Sequence, residues 1–345
     1  MNTTDAAQPG WDWYEGEERG RRRRRILLLL GLIVLFGAIL ATVGVYAVTR
    51  QSLATLPGVG QVTKGIAPRY VYALTGVTSP EAVAVTPEGD RVYIVDTGER
   101  LVRAFTPEGG EVARLVAPAT TVAGRMPVSV AVAPDGRVFV SDRMRMSIDM
   151  YTPTGAYIGA FRPEAVLDEL WQPMGLSFDG SGRLLVTDLR LGRHRILAFR
   201  AAGHLDTTLG DGEERGEGFG FSFPYMAVGD TQGRIYVSDS NNAAVQVFSR
   251  EGQLVSTLSA ADPKAGLGLP RGAAIDNQGR LHLVDAATHS IAVFETGDTL
   301  RFLFSFGEVG TAGQDLRFPA GIAVDQRGRV YVADRGNNAV KVWSY

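Results

Sequence analysis

Residues Pro319–Tyr345 read "PAGIAVDQRGRVYVADRGNNAVKVWSY". Three apolar runs, IAV, VYVA and VKVW, are separated by two turn signals, and the sequence stops on the third. A last strand without a partner would leave a bare sheet edge, which invites association with other chains. The partner has to be sought upstream, and finding it decides the fold.

Five earlier stretches repeat the pattern. Aligned on the aspartate that ends each VYVAD-like run, the copies fall at Asp96, Asp142, Asp188, Asp239, Asp285 and Asp334, spaced by 46, 46, 51, 46 and 49 residues. A proline precedes each at a matching distance: Pro80, Pro127, Pro173, Pro224, Pro270 and Pro319. Between proline and aspartate a turn ends in Gly-Arg or, in copy one, Gly-Asp-Arg. Each copy alternates apolar and other residues in short runs bounded by Gly, Pro, Asp and Asn, which is the grammar of antiparallel strands. Four such runs, a to d, in a unit of about 40–50 residues are the signature of a propeller blade. The middle of strand a is small (Ala84, Ala131, Ser177, Ala274, Ala323), with Val228 the exception, as a wedge tapering toward an axis requires. Copy six has no strand d. Just before copy one, "RYVYALTG" (Arg69–Gly76) matches strand d of the other copies. Laid beside Val340–Trp343 it completes the sixth blade and closes the ring. The expected fold is all-β, a six-bladed β-propeller over residues 69–345.

"FPAGIAVDQRGRVYVADRGNNAVKVW" and "FPYMAVGDTQGRIYVSDSNNAAVQVF" resemble NHL repeats, whose members form six-bladed β-propellers. The resemblance covers roughly residues 69–345. It departs from the family's pattern in two ways. The usual Arg before strand c is replaced by Leu101, Ser147, Ala244, Ser290 and Ala339, leaving only Arg195, and the Asn pair survives only as Asn241–Asn242 and Asn337–Asn338. One fold serves many functions, so the resemblance says little about chemistry.

The N-terminus is of another kind. Residues 1–25 hold an acidic-aromatic patch, "WDWYEGEE", then Arg19 and the run Arg21–Arg25. The following 23 residues, Ile26–Val48, carry no charge. As a helix they would span about 35 Å, against a hydrocarbon core of about 30 Å, and they exceed the apolar core of a signal peptide, about 7–15 residues. The arginines place residues 1–25 in the cytoplasm, a single transmembrane helix at 26–48, a linker at 49–68, and an extracytoplasmic propeller in the cell membrane. Cysteine is absent, which excludes disulfides and thiolate metal sites.

Function is sought where the copies disagree. The d–a and b–c loops share one face of the disc, around the channel mouth. The residue after each proline varies: Glu81, Val128, Met174, Tyr225, Arg271, Ala320. Copy two has "RMRM" (Arg143–Met146), and copy three has a two-residue insertion, "LRLGRHR" (Leu189–Arg195). With Arg125, the residues Arg143, Arg145, Arg190, Arg193, His194 and Arg195 form a candidate cluster for an anionic group, held by charge-assisted hydrogen bonds. The competing account is a solvated rim with its charges paired to nearby acids. The candidate binding set is Glu81, Arg143, Arg145, Met174, Arg190, Arg193, His194, Tyr225 and Arg271, for a protein, an envelope polymer or an anionic small molecule.

Some NHL proteins use this face for RNA. Nucleic acid is not expected here: after position 25 the charges are 37 − 5 = 32 acidic against 35 − 6 = 29 basic. Some six-bladed propellers are metal enzymes, zinc lyases or lactonases of the gluconolactonase type, which is the alternative reading. It would put Ca or Zn in the channel, with Glu81 as a ligand. The four histidines do not converge as a zinc site requires: His282 takes a strand-b packing slot, His204 lies toward the outer rim, and His194 and His289 are a blade apart. The repeat aspartates read as Asx-turn residues bonding to following amides. No catalytic residue and no cofactor is expected.

Overall fold

The computed structural model describes residue 37 and residues 65–118, 124–163, 171–190, 194–200, 203–210, 220–260 and 266–345. The expected tail at 1–25 lies outside these residues, as do the expected span at 26–48, apart from residue 37, and most of the linker. Among the described residues no helix is long and apolar enough to cross a membrane. The chain divides into two units, Met1–Leu53 and Ala54–Tyr345; among the described residues, the strands all belong to the second.

The first strand, β1 (Arg69–Leu74), belongs to the last blade. Blade one is β2 (Pro80–Val85), β3 (Val92–Asp96), β4 (Leu101–Phe105) and β5 (Glu111–Leu115). Blade two is β6 (Pro127–Val132), β7 (Val138–Asp142), β8 (Ser147–Tyr151) and β9 (Tyr157–Ala160). Blade three is β10 (Pro173–Phe178), β11 (Leu184–Asp188), β12 (Arg195–Phe199) and β13 (Leu205–Leu209). Blade four is β14 (Pro224–Gly229), β15 (Ile235–Asp239), β16 (Ala244–Phe248) and β17 (Leu254–Ser259). Blade five is β18 (Pro270–Ile275), β19 (Arg280–Asp285), β20 (Ser290–Glu295) and β21 (Arg301–Phe306). Blade six takes β22 (Pro319–Val324), β23 (Arg329–Asp334) and β24 (Ala339–Ser344), with β1 as its outermost strand.

The strand sought at the outset is therefore β1. It runs antiparallel to β24, with Tyr70 opposite Trp343, Ala73 opposite Lys341 and Leu74 opposite Val340. Tyr70 meets Trp343 edge to face at 5.7 Å, and Leu74 is buried in a cluster that also holds Val83, Tyr331 and Val340. That cluster welds blade six to blade one. Polar contacts cross the same junction: the Arg329 guanidinium donates to the Gly89 carbonyl at 2.6 Å, and the Ser79 amide to Asn338 Oδ1 at 2.8 Å.

The repeat aspartates hold the mouth-side loops. Each accepts a backbone N–H from the loop entering its own blade: Thr78 to Asp96, Met126 to Asp142, Gln172 to Asp188, Ser222 to Asp239, Leu269 to Asp285 and Arg317 to Asp334, at 2.7–3.3 Å. Bonds to following amides, as from Glu99 and Arg145, are present too. All six aspartates are buried, where a carboxylate needs such donors. The Gly-Arg signature has its own partner at the opposite face. Arg183, Arg234, Arg280 and Arg329 each pair with the aspartate four residues earlier, Asp179, Asp230, Asp276 and Asp325, at 2.7 Å.

Candidate functional site

Every strand a carries a register irregularity directly after its proline. A bulge leaves a residue out of the ladder and re-aims its side chain. Here it turns the variable residue after the proline toward the axis. Five of these six residues, Glu81, Val128, Met174, Tyr225 and Arg271, line one cavity of about 400 Å³ at the channel mouth. Loop residues complete it: Arg100, Arg125, Arg143 and Arg335, with Met126, Met144 and Phe223. Among the lining residues five are arginines, and Glu81 is the one acid.

Glu81 stands in blade one and Tyr225 in blade four, on opposite sides of a six-membered ring. The Tyr225 hydroxyl donates to Glu81 Oε1 at 2.6 Å, so this bond crosses the axis. Arg271 comes within 3.6 Å of Glu81 Oε1 and Arg335 within 3.4 Å of Oε2. The Arg271 guanidinium also lies over the Tyr225 ring, 5.3 Å from its centroid, a favourable cation–π placement. Burial, reinforced by the Glu81 charge, raises the Tyr225 phenol well above its ordinary range. Tyr225 therefore keeps its proton and stays a donor. Below this bar lies a second cavity of about 200 Å³, lined by the rest of the six a strands, including Ala84, Val130, Leu176, Val228 and Ile322.

The arginine cluster expected on blades two and three is not assembled as such. Of its described members, Arg125 and Arg143 line the mouth. Arg145 is turned to Asp149, and Arg195 pairs with Asp188 at 2.8 Å; both acids are buried and draw the guanidinium groups into the blade. The Arg190 amide donates to Asp188, and its side chain is not in the lining. Arg193 lies outside the described residues. His194 is an inter-blade latch, its Nδ1 accepting the Phe223 amide at 3.2 Å. His289 does the same for Phe318 at 2.8 Å, in the geometry that Asn338 uses for Ser79. Among the lining residues that sequence reading missed are Met126, Phe223 and two arginines, Arg100 and Arg335. Both arginines sit in b–c loops, and an alignment of those loops for charge rather than for insertions would have found them. Among the described residues no three His, Cys, Asp or Glu side chains gather as a metal site.

No curated protein matches the chain in sequence. Among solved structures, a gluconolactonase from Xanthomonas campestris is 17% identical, with 80% of this chain and 94% of that one covered and a TM-score of 0.59. A streptogramin B lyase is 14% identical, with 80% and 98% covered and a TM-score of 0.57. An inactive virginiamycin B lyase from Staphylococcus aureus, solved with quinupristin, is 17% identical, with 81% and 88% covered and a TM-score of 0.53. Likeness at this identity shows the shared fold. The NHL-repeat profile matches residues 226–248 and 316–343, the cores of blades four and six. The chain thus carries NHL repeats within a closed ring of six four-stranded blades.

Proposed function

We propose that this propeller is a binding module whose channel mouth receives an anionic group, presented outside the cell membrane by an anchor at residues 26–48. The observation that carries the reading is the mouth itself, with five arginines and one glutamate around about 400 Å³. A pocket of this size suits a small ligand or one group of a larger partner, such as a protein or an envelope polymer. Guanidinium groups favour carboxylates and phosphates through planar, paired hydrogen bonds. The anchor rests on the uncharged 23-residue run behind its arginines.

Calorimetry of the purified full-length protein against carboxylates, phosphates and sulfates tests this. Recovery from the membrane fraction in the same preparation checks the anchor. Binding should weaken with salt, and Arg143→Glu should lower it by about tenfold or more, the loss of one charge-assisted contact. An unchanged affinity in Arg143→Glu would remove the basis of the reading. A lyase or lactonase-type reading draws on the buried Glu81–Tyr225 pair instead. Stoichiometric zinc or calcium in the purified protein, lost in Glu81→Gln, would favour it over simple binding.

A further inference from the structure

The mouth has two kinds of wall. Arginines come from blades one, two, five and six, while Val128, Met174 and Phe223 form an apolar side with Met126 and Met144 at the rim. Those two methionines are 46% and 58% exposed. Flexible thioethers held in the open beside a charged cavity suit an apolar body of variable shape. An inorganic anion would use the guanidinium groups and leave this side idle. The side chains facing the channel beneath are mostly aliphatic, and no residue lines both cavities. What stands between them on the axis is the Tyr225–Glu81 bond.

We infer that the ligand is an amphipathic organic anion, an acid group carrying a short alkyl chain or a ring, and that Tyr225, pinned across the axis by Glu81, limits the length of the body admitted. This rests on the anion-binding reading above. The acid group meets the arginines, the body lies against Met144, Met174 and Phe223, and the bar forms the floor. Side chains of Ala, Val, Leu and Ile line most of the channel below, so it would accept a longer tail once the bar is gone.

Straight-chain carboxylates from acetate to decanoate, titrated into the full-length protein, test both parts. Affinity should rise by about fourfold for each buried methylene, from about 0.8 kcal/mol per methylene, and then level off where the chain meets the bar. Octanamide, equal in body but uncharged, should bind at least about tenfold more weakly than octanoate, having lost a charge-assisted contact. Tyr225→Ala should move the plateau to longer chains. Tyr225→Leu serves the same purpose if melting curves show that the alanine variant does not fold. Acetate and inorganic phosphate binding as tightly as octanoate would overturn the amphipathic ligand while leaving anion binding intact. An unmoved plateau in a folded Tyr225 variant would overturn the role of the bar. If none of these anions binds, the parent reading falls first.

Discussion

Asp276, at the end of strand a in blade five, shows how much one side chain can hold. It pairs with Arg280 at 2.7 Å and lies 3.0 Å from His282 Nε2. The Arg280 guanidinium in turn covers the ring of Tyr345, 3.7 Å from its centroid. Burial alone would raise the Asp276 carboxyl, but the hydrogen bond and charge of His282, followed by Arg280, outweigh it and hold the group at about 2. A carboxyl depressed on folding contributes stability that is fully present above its unfolded value, near 4, and is lost as pH falls through the folded value. The contribution is on the order of 2 kcal/mol. Unfolding free energy followed from about pH 5 down to about pH 2 should therefore fall more steeply for the native protein than for Asp276→Asn. Parallel curves would show that Asp276 is not the group responsible. The sequence marked His282 as a packing residue, and it is fully buried. Its bond to Asp276 was not legible, because the partner is fixed by how tightly the a–b hairpin turns and not by spacing alone.

At the scale of elements, strand a carries both the fold and the site. Its third position is Gly175, Gly272 or Gly321 in three copies, and the reason lies in the neighbouring blade. A Cβ on Gly321 would stand 2.7 Å from Ala82 Cα and 2.9 Å from the Glu81 carbonyl oxygen; one on Gly272 would stand 2.6 Å from the Ala320 carbonyl oxygen. These obstacles are backbone, which cannot swing aside. Alanine in place of glycine within an ordinary strand stabilises by roughly 0.5–1 kcal/mol. Gly321→Ala should reverse that sign and cost about 1–3 kcal/mol, as overpacking does, read as a lower denaturant midpoint at constant slope. A variant as stable as the parent would mean that the inner circle is looser than these distances. The taper was legible from the alanines in mid-strand, since a small residue recurring in register has few other causes. The bulge was not, because a proline marks where a strand starts but not where its ladder slips. The site was accordingly half legible. Variation after the proline pointed to Glu81, Met174, Tyr225 and Arg271, all of which reach the mouth. Composition could not tell that Arg143 faces the cavity while Arg145, two residues on, turns to buried Asp149.

For the whole molecule, everything at the mouth depends on a ring whose ends are joined by one strand pair between residues more than two hundred positions apart. Six copies in phase made the blade count readable, and an orphan strand before the first copy made the closure readable; neither needed a side-chain contact. The closure is demanding physically because β1 contributes little hydrophobic area of its own, with Leu74 as its one fully buried side chain. Its larger service is to cover β24, whose Val340, Val342 and Trp343 are buried, and to satisfy the backbone groups along that edge. Without β1 these groups would face water, and an apolar, flat edge pairs readily with another chain. The Glu81–Tyr225 bond would suffer as well, since blade one is located by its contact with blade six through Leu74, Val83 and Tyr331. Deleting residues 69–76 should therefore lower the melting temperature and give concentration-dependent oligomers in light scattering. A synthetic peptide of that sequence, added in excess, should restore both, because binding to the native ring stabilises it by mass action. A deletion variant that remains monomeric and melts at the parent temperature would show that the ring is held shut by its inner strands alone, and that β1 is an addition to the sixth blade rather than its clasp.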